Sequence, residues 1–104
     1  MTDDRAAAPP DSLGTIPGDL PGHDLIARGL RDLQAGEETI PALLVSIGAP
    51  RLRFLGIGVP CPIPQPELRL YLRLHQEDPD AAHGRYNALI RRLVSFERAL
   101  ECAS

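Results

Sequence analysis

Residues 79–103, PDAAHGRYNALIRRLVSFERALECA, decide the fold. Apolar side chains recur at Tyr86, Leu89, Ile90, Leu93, Val94, Phe96 and Leu100, each three or four positions from another. That spacing lays them along one broad stripe of an α-helix. Arg91, Ser95 and Arg98 fall on the opposite side. Asp78 before Pro79 reads as an N-cap with proline at the first helical position, where the missing N–H costs nothing. Asp80 then adds negative charge to the first turn, which the helix dipole favours. One long amphipathic helix over 79–103 is the expectation, and the rest of the chain packs around it.

Glu97 breaks the stripe. At about 100° per residue it falls near the middle of the apolar face, with Glu101 one turn further on. A carboxylate turned toward a core needs a partner. An arginine such as Arg51 or Arg53, or a solvent-facing helix end, supplies the structural explanation. A carboxyl with a raised pKa lining a pocket is the functional one.

Upstream, Leu25, Ile26, Leu30 and Leu33 share one face of a helix predicted over 23–35, with Gly36 as its C-terminal glycine. Gly29 sits among them, either to admit a neighbouring helix or as an incidental weakness. A second helix starts near Thr39, takes Pro41 in its first turn and stops at Gly48. It is apolar nearly all round and should be the most buried element. Pro50 opens a short turn or helix through Leu55. Residues 56–66, GIGVPCPIPQP, cannot be helical and predict an extended loop carrying Cys61, packed by Val59 and Ile63.

Residues 66–76, PELRLYLRLHQ, admit two periods. Leu68, Leu70, Leu72 and Leu74 alternate as in a strand, which could pair with residues 51–55 as a ribbon. The lack of β-branched residues and the Pro66-Glu67 start favour a helix. Its faces would be Leu68, Tyr71 and Leu72 on one side and Leu70 and Leu74 on another. The expected fold is all-α: a small four-helix domain over 23–104 with an irregular proline-rich loop. Residues 1–22, with four prolines and few large apolar side chains, read as a disordered acidic leader.

The chain has 104 residues, enough for one domain. All eleven basic residues are arginine, and the net charge is −3. The leader holds four aspartates against one arginine and so carries all of that charge; residues 23–104 are neutral. This balance gives no general drive toward nucleic acid or anionic membrane. Two cysteines, Cys61 and Cys102, lie outside any CxxC spacing, and no apolar run approaches a bilayer span. A reduced, cytoplasmic protein is expected.

No motif calls for a catalytic centre or a cofactor, so a non-enzymatic role is expected. The leading expectation is a helical protein–protein interaction module that self-associates, with Phe96, Glu97 and Leu100 at a symmetric interface. The first alternative is nucleic-acid binding through Arg85, Arg91, Arg92 and Arg98, opposed by the acids at the start of that helix. The second is a metal-dependent enzyme or sensor at the 75–83 junction. There His75, Asp80 and His83 are candidate ligands, the last two on one helical face.

Overall fold

The computed structural model describes residues 20–103 and is all-α. The predicted disorder of the leader concerns residues 1–22, of which 1–19 lie outside the described residues. Leu20, assigned to that leader, packs against the core. Five helices follow in order: α1 (His23–Gln34), α2 (Ile40–Ile47), α3 (Ala49–Phe54), α4 (Pro66–Glu77) and α5 (Ala82–Ala103). The four longer ones are those expected, and α3 is the short piece opened by Pro50. Among the described residues there is no strand, so 51–55 and 67–74 do not pair as a ribbon.

Local chemistry sets the boundaries. Gly36 adopts φ +77°, and the Gly36 and Glu37 amides donate back to the Leu33 and Asp32 carbonyls. This pair of hydrogen bonds is the Schellman stop that a C-terminal glycine predicts. Thr39 caps α2: its hydroxyl oxygen accepts from the Ala42 amide at 3.2 Å and donates to Asp32 Oδ2 at 2.6 Å. One threonine thus starts α2 and ties it to α1. Gly56, at φ +97°, ends α3 in the manner of Gly36, with the Ile57 amide reaching the Leu52 carbonyl at 2.8 Å.

α2 lies at the centre, with Ala42, Leu43, Leu44, Val45 and Ser46 all buried. α1 and α4 pack against it, and α5 packs on α4 and on the end of α2. Gly29 makes the α1–α2 contact possible. A Cβ there would stand 2.3 Å from the Pro41 carbonyl oxygen, closer than real atoms approach. The glycine therefore admits a helix and is no incidental weakness. The buried hydroxyl of Ser46 donates to the Ala42 carbonyl at 2.9 Å and accepts from the Ile63 amide at 3.0 Å. That second bond anchors the proline-rich loop, whose Val59 carbonyl also accepts from Arg53 at 3.0 Å.

α5 starts later than its sequence predicts. Asp78 is not its N-cap, nor does Pro79 open it: the helix begins at Ala82. The Asp78 carboxylate accepts from the Asp80 amide at 3.1 Å, and the Ala81 amide donates to the Asp78 carbonyl at 3.1 Å. Asp followed by Pro is also the preferred opening of a type I turn. The Asp78 carbonyl is used by the turn, and the first helical bond of α5 runs instead from the Arg85 amide to the Ala81 carbonyl at 2.9 Å, while the Asp78 amide closes α4 on the Leu74 carbonyl at 3.0 Å. Asp80 therefore lies ahead of α5, and no acid occupies its first turn. The apolar stripe is narrower than its period suggests. Leu93, Phe96 and Leu100 are buried, Tyr86, Leu89 and Ile90 half-buried, and Val94 is exposed.

Candidate functional site

The anomaly on α5 marks the joint between α2 and α3. Gly48 closes α2, and α5 crosses directly above it: a Cβ on Gly48 would meet Leu93 Cδ1 at 2.8 Å and Glu97 Oε2 at 3.1 Å. The missing side chain makes room for the Glu97 carboxyl group. That carboxyl is half-buried and, among the described residues, accepts no hydrogen bond. Burial pushes its pKa above the ordinary 4.5, and the nearby Arg51 guanidinium pulls it the other way. Arg51 is committed elsewhere, donating to Glu101 Oε1 at 2.8 Å. The expected arginine partner exists, but the ion pair goes to Glu101 rather than Glu97. Phe96 and Leu100, expected at an interface, are spent on the chain's own core at 0% and 8% exposure. In this fold Phe96 presents no surface to a second copy and Leu100 very little.

The junction at 75–83 does not assemble a ligand set. Among the described residues no group of three or more His, Cys, Asp or Glu side chains could hold a metal ion. The expectation that Asp80 and His83 share a helical face fails, because Asp80 lies in the turn. His75 rests beside the Tyr71 ring, with centroids 6.2 Å apart. His83 Nε2 faces Asn87 Nδ2 at 3.2 Å. Glu77 accepts from Arg85 at 2.8 Å, an ion pair that clips the end of α4 to the start of α5.

That ion pair removes Arg85 from the expected nucleic-acid surface. Next to it, Tyr86 packs edge-on to Tyr71 at 6.1 Å between centroids. Burial, with Glu67 nearby, raises its hydroxyl pKa. Arg91, Arg92 and Arg98 remain exposed along α5, without an ion pair among the described residues.

Two features lay outside the expected sites. The first is a cavity of about 200 Å³ between the α1–α2 turn and the proline-rich loop, lined by Leu33, Gly36, Glu37, Glu38, Cys61 and Ile63. It is smaller than the roughly 300–1,000 Å³ of small-molecule sites, and no histidine lines it to serve the Cys61 thiol as base. The second is the outer face of α4. Leu70 and Leu74 are fully buried, whereas Leu68 and Leu72 are 54% and 49% exposed. The two leucines lie one turn apart, with Glu67 and Arg69 on either side of Leu68 in sequence. Arg69 pairs with Glu38 at 3.1 Å, and Arg73 donates to the Glu38 carbonyl at 2.8 Å. The leucine pair was legible as one of two candidate faces, but nothing within the segment says which turns outward.

No helix among the described residues is long and apolar enough to cross a membrane. No family model, no curated protein and no solved structure matches the chain.

Proposed function

We propose that this chain is a small helical protein–protein interaction module of the cytoplasm that self-associates through the outer face of α4. The observation that carries this reading is the half-exposed pair Leu68 and Leu72 on a helix whose core side is already completed by Leu70 and Leu74. Apolar side chains at i and i+4 form the smallest helical docking stripe. A specific interface buries roughly 800 Å² per partner, and two half-exposed leucines supply only part of that. Association should therefore be weak and concentration-dependent. The exposed thiols of Cys61 and Cys102, neither in a disulfide, suit a reducing compartment.

Light scattering across a concentration series tests the proposal. The wild-type mass should rise toward a dimer, and the double variant Leu68→Ser, Leu72→Ser should stay monomeric with its unfolding curve unchanged. A wild-type mass that stays monomeric at every concentration would sink the reading. A second reading, nucleic-acid binding through Arg91, Arg92 and Arg98, is favoured by their exposure without an ion pair among the described residues. It requires retention on random DNA or RNA that weakens steeply with salt, and absence of retention at low salt eliminates it.

A further inference from the structure

We infer that Glu97, Arg51 and Glu101 form a proton-responsive latch that holds the last turns of α5 on the α2–α3 corner more firmly in mild acid than at neutral pH. The geometry carries this. Two carboxylates one turn apart on α5 face a single guanidinium on α3, and that guanidinium bonds Glu101 at 2.8 Å. Glu97 is left half-buried above Gly48, against Leu93, where solvent is replaced by backbone and apolar side chain. An ionised carboxyl there loses hydration without gaining a hydrogen bond from the described residues, whereas a protonated one loses little.

The charged surroundings are few. From α3 only Arg51 acts on Glu97, since Arg53 is turned to the Val59 carbonyl. α2 and residues 20–22 contain no titratable side chain, and the groups of α4 are engaged elsewhere: Arg69 and Arg73 on Glu38, Glu77 on Arg85, Glu67 near Tyr86 and His75 beside Tyr71. On α5 the neighbours are Arg98, exposed, and Glu101 one turn on. Because the carboxyl titrates higher in the folded chain than its ordinary 4.5, the folded state holds the extra proton. Glu97's contribution is therefore fully present below 4.5 and is lost as pH rises through the folded value.

The test compares the full chain with Glu97→Gln by hydrogen exchange, reading amides 97–103 at matched pH so that all other titrations cancel. At neutral pH the variant should exchange several-fold more slowly than wild type, and below pH 4.5 the two should converge. Equal rates at both pH values, or faster exchange in the variant at neutral pH, would show that Arg51 already satisfies the Glu97 carboxylate and would overturn the inference. Glu101→Gln tests the sharing. With its first partner removed, Arg51 should turn to Glu97, and the pH response should shrink. An undiminished response would contradict a shared guanidinium.

Discussion

Replacing Gly29 with alanine should destabilise the protein, although alanine is the better helix former. A Cβ at this position would lie 2.3 Å from the Pro41 oxygen, 2.8 Å from the Pro41 carbonyl carbon and 2.8 Å from Val45 Cγ1. Optimal carbon contacts fall at roughly 3.5–4.0 Å, so α1 would have to withdraw by about 1 Å. The obstacle is main chain in the first turn of α2, which cannot rotate aside as a side chain can. Withdrawal would loosen Ile26, Leu30 and Leu33, the buried face of α1. Overpacking costs about 1–3 kcal/mol, and a backbone obstacle belongs at or above the top of that range. Alanine returns about 1 kcal/mol of helix propensity. The net loss should be about 2 kcal/mol or more, a large share of the roughly 4–12 kcal/mol that a domain of this size holds. Urea unfolding followed by circular dichroism measures it. Gly84→Ala is the control: nothing lies within 4 Å of its Cβ position on α5. That variant should gain up to about 1 kcal/mol. If Gly29→Ala matched or exceeded wild type while Gly84→Ala gained stability, the two backbones could not be in contact at Gly29.

Ser46→Ala should cost about 1–3 kcal/mol, because it leaves the Ile63 amide without the hydroxyl that accepts it at 3.0 Å. Hydrogen exchange at Ile63 should accelerate more than at the α2 amides, so an unchanged Ile63 rate would place the loop anchor elsewhere. Thr39→Ala should cost about 1 kcal/mol by removing the α2 cap, and Thr39→Ser should restore most of it, since either hydroxyl can serve the Ala42 amide. Equal stability of the two variants in thermal unfolding would dismiss the cap.

What was legible in the sequence is what depends on neighbours in the chain. Gly36, Thr39 and Gly48 end or begin helices through bonds made within a few residues, and each does so where its residue type implies. The period of α5 likewise follows from spacing alone. Asp78-Pro79 misled because one dipeptide serves two local structures, a helix start and a type I turn. Here the Asp78 carbonyl accepts the Ala81 amide in the turn, and the first helical bond falls to the Ala81 carbonyl. The faces of α4 were undecidable for another reason. A leucine at every second position of a helix spreads leucines around it, and only contact with α2 selects Leu70 and Leu74 for the core.

The same dependence on distant contacts moved the candidate site. Phe96 and Leu100 were expected at a symmetric interface. The fold covers them, and the uncovered leucines lie on α4 instead. Glu97 was visible as an anomaly, but the place it occupies was not, because that place lies over Gly48, a residue that by itself looks like a helix stop. Its missing Cβ lets α5 descend until Leu93 and Glu97 occupy the space above the α2–α3 joint. A Cβ at position 48 would lie 2.8 Å from Leu93 Cδ1 and 3.1 Å from Glu97 Oε2, so the glycine leaves both side-chain ends their present place. The half-buried carboxyl thus sits where α5 packs down with Phe96 in the core, and its response to protons follows from that setting together with the commitment of Arg51 to Glu101.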